Sequence, residues 1–297
     1  MSALHLYNKP SDRIADAVIY TILGLFGLLT LFPLYYVFVM SVTPYSEVIA
    51  NGGFVLLPKA LTLEAYRTLF DSPVIPQALR VTIIVTVLGT ALNLAVTTLL
   101  AYPLSKTFIP GRNFILMAIV FTMLFSGGLI PLYLVVQATG LLNSIWALII
   151  PSLVSSFNML IMKTYFQNLP QEVEEAARVD GCGEVRTLVS IVLPLSMPIM
   201  ATLGLFYAVG HWNNYFSGIM YISDRTLYPM QVVLRNMIQS PAVSQDLMIQ
   251  NMSAIQQLPP ETIKMAAVSV AILPILVVYP FLQRYFVKGM MIGAIKG

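Results

Sequence analysis

The chain has 297 residues, 58% of them apolar and 10% charged, with a net charge of +3. A soluble domain averages roughly 45–50% apolar and about 25% charged, so this chain cannot cover a water-facing surface, and disorder, a coiled coil or a disulfide scaffold are equally poor fits. The small, dispersed charge speaks against nucleic-acid binding, and Cys182, the only cysteine, leaves no internal disulfide and no Cys-based metal site.

Long stretches without Asp, Glu, Lys or Arg organise the chain: 17–46, 81–105, 113–162, 187–223 and 265–283. A membrane helix needs about 20 mostly apolar residues, so the run over 113–162 holds two. It is divided by Gly140-Leu-Leu-Asn-Ser144 and also contains Gly127-Gly128 and Pro131. The pattern predicts an all-α membrane protein with six transmembrane helices at 17–42, 81–105, 114–137, 143–164, 198–221 and 265–284. The first apolar run is longer than the 7–15 residues of a signal-peptide core, which predicts a retained anchor.

Six spans put both termini on one side. With that side cytoplasmic, 10 Lys and Arg lie inside (9, 13, 106, 112, 163, 178, 186, 284, 288, 296) and 6 outside (59, 67, 80, 225, 235, 264). The short 106–112 connection and the C-terminal tail carry five of the inner ones and no acid. Outer segments follow at 43–80 and 222–264, both punctuated by Gly and Pro, and a cytoplasmic one at 165–195.

The cytoplasmic segment packs seven charged residues into 172–186. Pro170 suits a helix start, and Glu172, Glu174 and Glu175 suit the positive end of the helix dipole. Val173, Ala176, Ala177 and Asp180 share one face by spacing, small enough for close approach to a partner or to the chain's own membrane helices. Gly181 suits a C-cap. A second helix from about Glu184 carries Val185, Leu188, Val189 and Val192 as its stripe, and Pro194 stops or kinks it.

Glu175-Ala176-Ala177, three residues, Gly181, nine residues and Ile191-x-Leu193-Pro194 together resemble the EAA loop of ABC importer permeases. The whole chain resembles the MalG-like permeases of carbohydrate uptake. Leu258-Pro-Pro-Glu-Thr-Ile-Lys-Met265 and the stretch from Gln283 to Gly289 are similar to the subgroup importing complex oligosaccharides and acidic polysaccharides such as alginate. The resemblance implies a multi-pass protein of the bacterial cytoplasmic (inner) membrane that carries a carbohydrate across the bilayer. Its implied partners are a second homologous permease subunit, an ABC ATPase dimer holding ATP and Mg, and an extracytoplasmic solute-binding protein. Glu175, Ala176, Ala177, Asp180 and Gly181 then form the coupling helix that docks on the ATPase. Around the middle of the second outer segment, Gln239, Ser240, Gln245 and Asp246 are the expected binding-protein contacts.

No Gly-Lys-Ser/Thr occurs, so this chain has no P-loop and is not expected to be an enzyme or to hold a cofactor. The fifth span carries Tyr207, Gly210, His211, Trp212, Asn213, Asn214 and Tyr215. Polar groups at that depth either line a passage or join helices, and rings and amides also suit sugars. Tyr207, His211, Trp212, Asn213 and Asn214 are the candidate pathway residues. Asn93 with Thr97 and Thr98, and Asn158 with Ser155 and Ser156, admit the same two readings. The alternative function is a stand-alone ion- or proton-coupled transporter, for which His211 is the lone mid-membrane candidate.

Overall fold

The computed structural model describes residues 10–239 and 260–294, and every regular element among them is helical. In chain order they are α1 (Pro10–Ser41), α2 (Tyr45–Ala50), α3 (Glu64–Asp71), α4 (Val74–Ser105), α5 (Arg112–Leu124) and α6 (Leu129–Ala138). They continue as α7 (Trp146–Ser152), α8 (Ser156–Gln167), α9 (Gln171–Val179) and α10 (Glu184–Leu195). Last come α11 (Met197–Trp212), α12 (Phe216–Tyr221), α13 (Met230–Gln239) and α14 (Pro260–Ala294).

Among the described residues, three stretches are long and apolar enough to cross a membrane: Ile14–Ser41, Val74–Ser105 and Glu261–Val278. Three bent pairs could each supply another: α5 with α6 at 117°, α7 with α8 at 54° and α10 with α11 at 82°. Where backbone leaves a helix inside lipid, its polar groups need other partners. These breaks are therefore where local sequence has to differ from a plain apolar helix.

The helix expected over 114–137 is interrupted between Leu124 and Leu129. Gly128 there adopts φ +87°, which a side chain would resist, and Pro131 sits in the first turn of α6, where its missing N–H is harmless. The helix expected over 143–164 begins at Trp146 and breaks before Ser156, where the Ser155 side chain caps α8 by accepting the Asn158 N–H. The helix expected over 198–221 ends at Trp212 and resumes as α12. Pro194 and Pro198 flank the sharp turn from α10 into α11 at Ser196. Pro194 lacks the N–H that would bond back to Ser190, and the chain opens into a π turn over Leu188–Val192. At the other end of the outer segment 43–80, α4 starts at Val74, seven residues earlier than the charge pattern indicates.

The chain divides into two compact units. The first joins α1–α3 to α14 as far as Val270. Met40, Val48 and Val55 form its core, with Tyr36 and Met265 against them. Ser41 and Tyr66 share a hydrogen bond of 2.7 Å, and Glu47 accepts from the Lys59 N–H at 2.8 Å, so this stretch is folded on itself. The surface of α1 is apolar: Leu28, Leu29, Phe26 and Ile22 are all exposed, as suits a helix apolar all round.

The second unit holds α4–α13 and α14 from Ala271. A core in it joins α4, α8, α10 and α11 through Ala101, Leu104, Met159, Met162, Phe166, Leu188, Val192 and Leu203. The α4 positions Gly89, Asn93, Thr97, Ala101 and Ser105 are all buried. That four-residue spacing is one ridge of a helix surface, the kind that packs into a neighbour's groove. Small residues and hydrogen-bonding ones share the ridge, as in membrane helix packing generally.

Candidate functional site

The EAA segment is a helix, a turn and a helix. In α9, Gly181 takes φ +78°. Its N–H donates to Arg178 C=O at 3.0 Å, and the Cys182 N–H reaches back to Ala177 C=O at 2.9 Å. This pair of bonds is the Schellman arrangement, which closes a helix on a left-handed residue and satisfies its last carbonyls. The stripe expected on α10 is divided: Leu188 and Val192 are buried while Val185 and Val189 are exposed.

The two alanines are divided as well. By spacing, Ala176 and Ala177 share one face with Val173 and Asp180. Ala177 is only 4% exposed, packed inside its own chain, whereas Glu175 and Ala176 are open. A helix advances 100° per residue, so Ala177 turns toward the protein while Ala176, one position earlier, stays on the open side. The free face instead runs Glu172, Val173, Ala176, Val179 and Asp180, with Val179 88% exposed.

The inner side of α9 is held by charges. Glu174 pairs with Lys106, just beyond the end of α4, and both side chains are mostly buried, at 14% and 13% exposure. Lys106 also lies over the Tyr102 ring, 4.6 Å from its centre. The Tyr102 hydroxyl donates to Glu184 at 3.1 Å, and Arg178 binds the same carboxylate at 2.9 Å. The Arg178 guanidinium in turn stands 5.7 Å from the centre of the Phe108 ring. Arg112 turns back to donate to Leu104 C=O at 2.8 Å, satisfying a terminal carbonyl of α4. The helices α9, α10 and α4 are thus one braced structure. Sequence spacing within α9 reveals the helix, but not this brace, because its partners lie about 70 residues away in the chain.

The intramembrane polar residues form two linked groups. At the α7–α8 break, Ser152 and Leu153 have carbonyls outside regular α-helix. The Asn93 carboxamide nitrogen donates to both, at 2.7 and 2.8 Å. Its oxygen therefore faces His211 and accepts from Nε2–H at 2.7 Å, which fixes the tautomer. A Cβ on Gly89 would lie 2.5 Å from His211 Nε2, so only glycine admits the ring here. One turn further along α4, Thr97 shares a 2.8 Å hydrogen bond with Tyr207, whose oxygen also accepts from the Ser155 N–H at 3.4 Å.

A cleft of about 370 Å³ opens beside this network. Of the five expected pathway residues, Tyr207, His211 and Asn214 line it. Trp212 does not: its indole N–H donates to Ala271 C=O at 3.1 Å and its ring lines an apolar groove with Val87, Leu205 and Val278. Asn213 does not either, being exposed at the end of α11 and bonded back to Val209 C=O at 3.0 Å. Tyr207 and His211 both join helices and line the cavity, whereas Trp212 only joins helices and Asn213 does neither.

In the outer segment, Gln239 ends α13 with its side chain exposed, and Ser240, Gln245 and Asp246 lie outside the described residues. What precedes them is stitched down. Asn143 accepts from the Ser223 and Asp224 N–H groups, and Gln77 donates to Thr226 C=O at 3.0 Å. Asp224 caps the turn at Thr226, and those hydrogen bonds hold its carboxyl below the usual carboxylate range. Arg235 lies over the Tyr215 ring at 4.5 Å.

Residues 1–292 match the family described as binding-protein-dependent transport system inner membrane component. The chain belongs to that family. The permease is 44% identical to Protein LplC of Bacillus subtilis over 300 residues, covering all of both chains. It is 43% identical to the polygalacturonan/rhamnogalacturonan transport system permease protein YtcP of the same organism, over 96% of this chain and 99% of that one. Among solved structures it is similar to a chain of a bacterial ABC transporter involved in the import of the acidic polysaccharide alginate. The TM-score there is 0.86 at 32% identity, covering 94% of this chain and 99% of the other. Dependence on a binding protein sets aside the reading of a transporter acting alone. The matched span takes in the braced α9–α10 segment and the cleft together.

Proposed function

We propose that the permease forms half of the translocation pathway of an ABC importer for an oligosaccharide or polysaccharide. The observation that carries this is the match over nearly the whole chain to permeases whose named cargoes are polygalacturonan, rhamnogalacturonan and alginate. A second homologous permease completes the pathway. The ATPase dimer, with its ATP and Mg, docks on the cytoplasmic face of α9, and hydrolysis resides wholly in that partner. The open face of Glu175, Ala176, Val179 and Asp180 is the docking surface, with Gly181 as its turn and Ala177 anchoring the helix from behind. Six spans place both termini in the cytoplasm, and the outer segments, including 239–246, meet the solute-binding protein.

The test is reconstitution of the permease with its co-purifying subunits in liposomes. ATP-dependent and binding-protein-dependent uptake of an oligogalacturonate or arabino-oligosaccharide is expected. Uptake driven by an ion gradient without an ATPase would overturn the reading. Sidedness is read separately: with Cys182 replaced by serine, an impermeant thiol reagent should label a cysteine at Ser46 in intact cells but not one at Thr107.

A further inference from the structure

Resting on the carbohydrate reading above, we propose that the cleft between the α7–α8 break and the α11–α12 region is a subsite for the hydroxyl edge of a sugar ring, read by the Asn158 carboxamide. Asn158 is 6% exposed and lines the cleft. Its backbone N–H is taken by Ser155, but its carboxamide has no hydrogen-bond partner among the described residues. Its amide atoms are not shut into closed protein but open onto the cleft, so what fills the cleft must supply their partners. By contrast, Asn93 and Asn214, close by, spend their amides on backbone carbonyls. Asn158 thus holds two donors and an acceptor free, the set that matches a pair of neighbouring hydroxyls, each of which donates and accepts.

The rest of the lining agrees in chemistry. Ser155, Tyr207 and Ser217 supply further hydroxyl groups, and Phe206 supplies an apolar ring for the C–H face of a sugar. Among the described residues no Lys, Arg, Asp or Glu lines the cleft, so a sugar carboxylate meets no counter-charge from them. A volume of about 370 Å³ lies in the range of small-molecule sites, roughly 300–1,000 Å³. Gly210 forms part of the wall, and a Cβ added to it would meet nothing within 4 Å. Space lies beside the backbone of α11 at that point, and a side chain there would occupy the cleft rather than the protein's own core.

The experiment uses the complete importer in liposomes, with an arabino-oligosaccharide as neutral probe and an oligogalacturonate as acidic probe. Asn158→Leu keeps the size of the side chain but removes its hydrogen bonds. It is expected to lower uptake of both probes by about tenfold, the scale of one unpaired buried hydroxyl or amide. Asn158→Asp is expected to lower uptake of the acidic probe at least about fivefold more than the neutral one, through like-charge repulsion. Gly210→Leu is expected to block uptake of both. In all three, subunit assembly and binding-protein-stimulated ATP hydrolysis persist. Equal losses for the two probes in Asn158→Asp, or loss of assembly in Asn158→Leu and Gly210→Leu alike, would mean a structural role and overturn the subsite. Undiminished uptake in the variants would overturn it too, while leaving the carbohydrate reading intact. A wild-type importer that moves neither probe overturns that reading, and the subsite with it.

Discussion

The brace between Lys106 and Glu174 offers the sharpest test of how motion at the ATPase reaches the membrane. Exposed ion pairs contribute about 0–1 kcal/mol, while removing one partner of a fully buried pair costs about 3–5 kcal/mol. With both side chains some 13–14% exposed, and Lys106 also over the Tyr102 ring, Lys106→Met should weaken the seating of α9 by about 2 kcal/mol. That corresponds to a shift of roughly 30-fold in the balance between seated and loosened α9. By comparison, the Arg178–Glu184 pair is about half exposed, and breaking it should matter far less.

The assay is sugar moved per ATP hydrolysed, measured in liposomes with all subunits present. Lys106→Met and Glu174→Lys should both lower that ratio several-fold while the ATPase stays bound, because the docking face on the far side of α9 is untouched. The double exchange, Lys106→Glu with Glu174→Lys, should recover most of it. If single variants keep the full ratio, or if the exchange is no better than either one, α9 is not steered through this pair.

Gly181→Val forces a branched side chain to φ +78°, at a cost of about 1–2 kcal/mol or more. It should loosen the end of α9 and reduce ATPase recovered on purification, with permease abundance unchanged; full recovery would count against the turn. Gly89→Val thrusts a side chain into the His211 ring, whose nearest atom would be 2.5 Å from the new Cβ. A loss of thermal stability in detergent of about 1–3 kcal/mol is expected, and Gly89→Val combined with His211→Ala should restore part of it.

Apolar length made the membrane elements legible, because a charge-free run of 20 residues has few other uses. Their interruptions were only half legible. Gly127-Gly128 and Pro194 signal a break in the chain itself, but the break after Ser152 depends on Asn93, 59 residues earlier. The same limit applied at the coupling helix. Glu175 to Gly181 announce a helix and its end, while burial of Ala177 depends on what the rest of the fold brings against it. In α11 a single run of polar residues looked like one site. The structure assigns Tyr207 and His211 to a network, Trp212 to Ala271 and Asn213 to its own helix end. No periodicity separates those roles, since each depends on which neighbour the side chain meets.

Asn93 is where these strands of argument converge. It lies on the buried ridge of α4, 13 residues before Lys106, or about 20 Å along the helix axis. One of its ends holds the carbonyls exposed by the α7–α8 break and the other holds His211 of α11. A shift of α4 driven from α9 must therefore carry the break and α11 with it, or strip three groups of their partners. Each unpaired buried group costs about 1–3 kcal/mol, though membrane hydrogen bonds measured singly average nearer 0.6 kcal/mol because the groups find other partners. For three groups these figures bracket Asn93→Leu at about 2–9 kcal/mol, and the low end applies only if Ser152, Leu153 and His211 can all re-pair locally. Thermal unfolding of the purified complex gives the stability loss, and uptake per ATP gives the mechanical one. Both should fall, whereas Lys106→Met should lower the second with little change in the first. An Asn93→Leu variant as stable as the wild type and equally coupled would show that the polar ridge neither holds the break nor conveys movement to it.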